Sequence, residues 1–151
     1  EALAADLGGG GGVSNARSVA RLFVPLAAGG GSLFTADEVA RMGAVSAATQ
    51  EDATLLIPTR FALGFMKSMD NRARPYGAIE SCVLSETAFG HVGAGGSLGF
   101  ADPACGLAFG YTMNAMGAGL LLNDRGQSLV DATYACLGHR SSASGRWLPS
   151  A

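Results

Sequence analysis

Glycine punctuates this chain so heavily that its helices and strands must be short. Of 151 residues, 23 are glycine, roughly twice the usual share of about 7%. They gather at 8–12, 29–31 and 93–99. Such clusters mark loops and places where one backbone closely approaches another, because a residue without a Cβ tolerates both left-handed torsions and tight contact. No uninterrupted apolar run reaches the ~18 residues that a membrane-spanning helix needs. A hydrophobic content of 48% is nevertheless ample for one core, and 151 residues fit one domain.

The glycine breaks leave four readable segments. Ser14 is placed to cap a helix over residues 15–28, in which Val19, Leu22, Phe23 and Leu26 recur at the three-and-four spacing of one buried face. Thr35 and Glu38 stand three apart, the spacing of a capping box, before a short helix through about Met42. Residues 59–66 alternate, with Phe61, Leu63 and Phe65 on one side, and predict a strand; residues 70–85 predict an irregular connection. Residues 97–101 and 107–113 predict a hairpin around an Asp102–Gly106 turn. Asn123 or Asp124 then caps a last helix to about Leu137, with Leu129, Ala132, Thr133, Cys136 and Leu137 on its apolar face. The remainder from His139 predicts a frayed tail, with His139 solvated.

This order predicts an α+β fold, an antiparallel sheet flanked by helices, with a domain at 1–138 and a tail at 139–151. Three strands and one covering helix would leave much apolar surface bare, so sheet partners from outside the chain are expected. The start at Glu1, without Met or a leader pattern, is compatible with processing or with a beginning in mid-protein.

Several function classes are disfavoured. A formal charge of −2 with 15% charged residues argues against a basic nucleic-acid-binding face. Cys82, Cys105 and Cys136 are an odd number without CxxC spacing, which suggests neither a zinc site nor a disulfide framework. A reducing, cytoplasmic compartment is the expectation, with a periplasmic or secreted one left open. Gly8 to Gly12 is not followed by Lys and Ser or Thr, and HExxH and EF-hand patterns are lacking, so no metal or cofactor is expected.

The most specific segment is FGHVGAGGSLGFADP, residues 89–103, followed by GLAFGYTMN, residues 106–114. Together with the earlier GGG break and FALGF, it resembles the C-terminal part of class C β-lactamase-like and penicillin-binding-protein-like serine hydrolases, including the family VIII-type esterases. The resemblance runs from about Gly8 to Leu137 and implies part of a β-lactamase/transpeptidase-like fold. It also implies an acyl-enzyme mechanism on ester, or β-lactam or peptide amide, substrates. The family's Ser-X-X-Lys and Tyr-X-Asn motifs do not occur: Lys67 is the only lysine, and Tyr111 to Asn114 is one residue too long. The nucleophile and general base are therefore expected from a missing N-terminal half, and the isolated chain is expected to be inactive.

His91, Val92 and Gly93 match the His-X-Gly variant of the family's third motif, a Lys-Thr-Gly triplet on the strand beside the nucleophile. The resemblance gives Gly93 the role of admitting substrate along the strand edge and the Ala94 amide that of an oxyanion donor. Such a donor is typically worth ~3 kcal/mol of barrier. His91 would bond near the nucleophile's hydroxyl network or the substrate carboxylate, and its place in lieu of lysine favours esters.

Two competing readings follow from the residues. GGSLG, residues 95–99, matches the Gly-X-Ser-X-Gly elbow of α/β-hydrolases and would make Ser97 the nucleophile, with Asp131 and His139 completing a triad. The elbow requires strand, serine, helix, whereas Asp102 and Pro103 predict strand and turn. The chain could also be a non-catalytic remnant or an interaction module pairing through exposed sheet edges. Asp102 and Cys105 are explained by turn chemistry alone.

Overall fold

Helix α1, Ala16–Ala27, is capped by Asn15, whose side chain accepts a hydrogen bond from the Ser18 amide at 3.0 Å. Ser14 is not the cap; its hydroxyl donates to the Asn15 carbonyl at 3.4 Å. The computed structural model describes residues 8–10, 12–141 and 145–150. What the sequence suggests for residues 1–7, 11, 142–144 and 151 lies outside the described residues. Helix α2, Ala36–Gly43, carries the expected capping box: the Glu38 amide donates to Thr35 Oγ1 at 3.2 Å, and the Thr35 amide to Glu38 Oε2 at 2.8 Å.

Six strands form one antiparallel sheet in chain order: β1 Ala47–Thr49, β2 Thr59–Phe61, β3 Met66–Lys67, β4 Phe89–Val92, β5 Leu98–Asp102 and β6 Leu107–Tyr111. The expectation of three strands is thus corrected. The alternation over residues 59–66 belongs to two strands, because the chain reverses between them. Gly64 has φ +75°, the Ala62 amide donates to the Phe65 carbonyl at 2.7 Å, and Phe61 pairs with Met66. Residues 70–85 are irregular but tied down. They contain a 3-10 turn at Gly77–Ile79 and a buried Asn71, whose amide donates to Ser81 Oγ at 2.8 Å.

Strand β5 is buried at every position and sorts the two layers. Gly99 and Ala101 face α1, whose closest turns lie almost on the backbone: a Cβ on Gly99 would come 2.5 Å from the Phe23 ring. On β6, a Cβ on Gly110 would come 2.5 Å from the Ala16 carbonyl oxygen. These two glycines set the rotation of α1, so Ala16, Val19, Ala20 and Phe23 meet the sheet and Leu22 is left 73% exposed. Leu26, Ala27, Val39, Phe89 and Ala101 form the core of this layer.

The opposite face packs against α3, Asp124–Cys136. Its buried residues are Gly126, Val130 and Tyr134 rather than the apolar set suggested by spacing; Leu129 and Leu137 are exposed. The tail is also not frayed. Strands β7 His139–Ser141 and β8 Trp147–Pro149 pair, and the Trp147 ring stacks on Tyr134 with centroids 5.6 Å apart. His139 lies against the same Tyr134 ring at 5.2 Å, with Nδ1 buried and without a hydrogen-bond partner among the described residues.

Tyr134 is drawn inward by Asp102, the last residue of β5, which is fully buried and gathers more than the local turn amide that its position predicts. Its carboxylate accepts from Ser85 Oγ at 2.6 Å, Thr87 Oγ1 at 2.5 Å, Tyr134 Oη at 2.8 Å and the Ala104 amide at 3.2 Å. Burial raises this carboxyl's pKa, but the four donors outweigh it and hold the group below its ordinary 3.8. Truncating it would leave the buried Ser85 and Tyr134 hydroxyls without this acceptor.

Asp102→Ala is therefore expected to cost about 3–5 kcal/mol in denaturant unfolding at neutral pH. Because the native pKa is depressed, that contribution is present above the ordinary 3.8 and fades as pH falls through the lower native value. The gap between wild type and variant should narrow in acid; a gap that is small or independent of pH would contradict this account.

Candidate functional site

The segment His91 to Ser97 is the end of β4, a tight reversal and the approach to β5. The Gly93 amide donates to the Ser97 carbonyl at 2.7 Å, and the Gly96 amide donates to the Gly93 carbonyl at 3.0 Å. Gly95 and Gly96 adopt φ +89° and +112°, a region that side chains disfavour. Two donors then pin the reversal from behind: the Gly117 amide and Asn123 Nδ2 each reach the Gly95 carbonyl at 2.9 Å. Asn123 is also the N-cap of α3, its Oδ1 accepting from the Gly126 amide at 3.3 Å. One buried side chain thus ties the reversal to the helix.

Strand β4 pairs with β5 along its length but with β3 only at Phe89 and Gly90. Since the Gly93 amide points to β5, strand alternation turns the backbone groups of Val92 toward the opposite edge, where β3 has ended. Among the described residues the Ala94 amide donates to nothing. The Val92 carbonyl lies 2.7 Å from His91 Nδ1. A carbonyl can only accept, so Nδ1 carries the hydrogen and Nε2 is the free nitrogen of this exposed ring.

The structure therefore brings His91, Gly93 and Ala94 together at the open end of one strand. It adds a fact about Gly93: a Cβ there would meet nothing nearer than Ser97 Cβ at 3.7 Å, and its φ is not in the left-handed region. The described fold does not itself require glycine at this position. Beside it, a shallow cleft of about 250 Å³ opens between α1 and the hairpin, lined by Val19, Phe23, His91, Gly93, Ser97 and Tyr111.

Ser97 lacks the elbow geometry. It follows a reversal and leads into β5, and its Oγ donates to Met113 Sδ at 2.9 Å. Asp131 accepts from Gln127 Nε2 at 2.8 Å and from Trp147 Nε1 at 3.2 Å, and His139 packs on Tyr134, so the three residues form no triad. Asn123 was visible in the sequence as a cap, but its hold on Gly95 was not, because the contact spans 28 residues. Among the described residues no group of three or more His, Cys, Asp or Glu could hold a metal ion, and no helix is long and apolar enough to cross a membrane.

A family model described as Beta-lactamase matches residues 1–132. Esterase/beta-lactamase LipL of Mycobacterium tuberculosis is 32% identical over 131 residues, covering 81% of this chain and 27% of LipL. A crystal structure of a family VIII carboxylesterase superposes with a TM-score of 0.65 at 31% identity, covering 82% of this chain and 32% of that one. A penicillin-binding-protein homologue from Caulobacter crescentus superposes with a TM-score of 0.64 at 33% identity, covering 80% of this chain and 31% of that one. The chain spans about a third or less of the length of these relatives.

The pinning of the reversal is testable. Asn123→Asp keeps an acceptor for the Gly126 amide but loses the donor to Gly95, whereas Asn123→Ala loses both. Each is expected to speed hydrogen exchange at the Gly93 and Gly96 amides about tenfold, and only the alanine variant should also lose roughly 1 kcal/mol of helix-capping stability. Unchanged exchange in both variants would contradict the clamp.

Proposed function

The chain belongs to the beta-lactamase family, and from that premise we propose that residues 89–97 form one wall of a serine-hydrolase active site working through an acyl-enzyme. The observation that carries the proposal is the open end of β4. There an unpaired Ala94 amide stands next to a glycine that the described fold does not demand. Gly93 leaves room for a substrate beside the strand, and the Ala94 amide donates to the oxygen that gains charge when the acyl carbon becomes tetrahedral. Such a donor lowers the barrier by ~3 kcal/mol, about a hundredfold in rate. His91, fixed by the Val92 carbonyl, offers Nε2 to the nucleophile's hydroxyl network or to the substrate.

The serine that attacks, its lysine and a tyrosine base lie outside residues 1–151 in this reading. Ser97, bonded to Met113 Sδ, supports the hairpin. An apolar groove of about 520 Å³ between β6 and α3, lined by Leu107, Phe109, Tyr111, Leu129, Thr133 and Leu137, supports the presence of further polypeptide. So does β6 itself, which has a strand partner on one side only among the described residues. The substrate is an ester, the class for which LipL and the carboxylesterase are named. The histidine at the lysine's place also favours esters over substrates that carry a carboxylate.

Residues 1–151 alone are expected to hydrolyse p-nitrophenyl butyrate no faster than buffer, with or without Ser97→Ala. In the polypeptide that includes the coding sequence upstream of Glu1, hydrolysis should appear. Gly93→Ala should then lower kcat at least about tenfold while shifting unfolding by no more than about 0.5 kcal/mol. Hydrolysis by the chain alone that Ser97→Ala abolishes would overturn the reading, and an upstream sequence without Ser-X-X-Lys would reduce the chain to a binding module.

A further inference from the structure

The chain's single lysine is buried. Lys67, on β3, is 3% exposed, and its ammonium has one oxygen partner among the described residues, the Thr87 carbonyl at a long 3.4 Å. Its other neighbour is the face of the Phe89 ring, 5.9 Å from Nζ. An ammonium carries three donors, so most of this hydrogen-bonding capacity is unmet in a place water hardly reaches. The nearby acids are committed elsewhere. Glu86 is held by Arg60 at 2.7 Å and by Arg146 at 3.1 Å, and Asp102 by its four donors.

Lys67 lines a cavity of about 360 Å³ between α2 and the sheet. The rest of the wall is small or apolar at Ala36, Val39, Ala40, Gly43, Phe89 and Pro103, and polar at Thr87 and at Glu86, whose carboxylate Arg60 and Arg146 neutralise. This space is separate from the cleft beside His91. Phe89 and His91 point to the same face of β4 two residues apart, roughly 7 Å along the strand, and the Phe65 ring packs edge-on to Phe89 at 5.2 Å.

We propose that this cavity is a binding site for a small apolar monocarboxylate, its carboxylate on Lys67 Nζ and its hydrocarbon against the α2 side. A carboxylate supplies the acceptor oxygens and the opposite charge that the buried ammonium lacks, and the small side chains leave volume for a short tail. Burial pulls the pKa of Lys67 below its ordinary value, and an anion in contact reverses that penalty.

The test uses hexanoate as probe, with hexanol as the same tail without charge, in calorimetric titrations of the chain. Hexanoate should bind saturably, and hexanol about tenfold or more weakly. Lys67→Met should weaken hexanoate by about tenfold or more. Ala40→Leu, at an exposed position on α2, should do the same by filling the cavity while leaving the lysine in place. Because Lys67 is the only lysine, acetylation by acetic anhydride reads it directly by mass spectrometry after digestion, and hexanoate should slow that reaction. No hexanoate binding, equal binding of hexanol, or undiminished binding to folded Ala40→Leu would overturn the proposal, even if Lys67→Met failed to fold.

Discussion

Everything in this molecule is arranged around a strand buried on both faces. Strand β5 presents Gly99 and Ala101 to α1 and Leu98, Phe100 and Asp102 to the α3 side, and no residue of it is exposed. A strand in this position must be small where a helix crosses it and apolar where another packs, and any polar group it carries must be fully satisfied. Asp102 meets the last condition by gathering Ser85, Thr87 and Tyr134. Those three contacts bring in the segment before β4 and the last turn of α3. The Phe100 and Trp147 rings both stack on Tyr134, which extends the order to the terminal hairpin.

With β5 fixed, β4 is fixed by register, and the reversal between them becomes a rigid feature in place of a mobile loop. Left-handed glycines allow the tight path, and Asn123 and Gly117 hold it from the α3 side. The early end of β3 then leaves the last part of β4 open while its first part is covered. This division gives the α1–α2 face of β4 two distinct environments: an exposed one at His91 and one around the buried Phe89 and Lys67 side chains. A preorganised amide at a strand end is the kind of group that stabilises developing charge without reorganising, because the sheet has already fixed its direction.

Local signals were legible where a short-range rule determines the outcome. The Thr35–Glu38 box, the β5–β6 hairpin and the span of α3 depend on neighbours a few residues away, and they stand close to where the sequence puts them. Errors arose where a distant contact decides. The residues 61–65 alternate like a strand, yet the reversal at Gly64 splits them. Strand β1 is exposed throughout and offers no apolar period to read. The face of α3 is chosen by the Tyr134 hydroxyl reaching Asp102, so an apolar count selects the wrong side. Buried Lys67 and Asp102 are invisible to any pattern that sends charge outward, and for the same reason they carry the most information once seen. At the candidate site, the family motif located His91, Gly93 and Ala94, but the clamp by Asn123 required the fold.

The central claim is that the Ala94 amide is an oxyanion donor for a nucleophile outside residues 1–151. The most direct measurement is a crystal structure, after reaction with an alkyl phosphonate ester, of the polypeptide extended to include the sequence upstream of Glu1. The account predicts a phosphonylated serine outside this chain, with a phosphoryl oxygen about 2.7–3.1 Å from the Ala94 amide nitrogen. An adduct on Ser97, or a phosphoryl oxygen held by other donors with the Ala94 amide turned away, would contradict it.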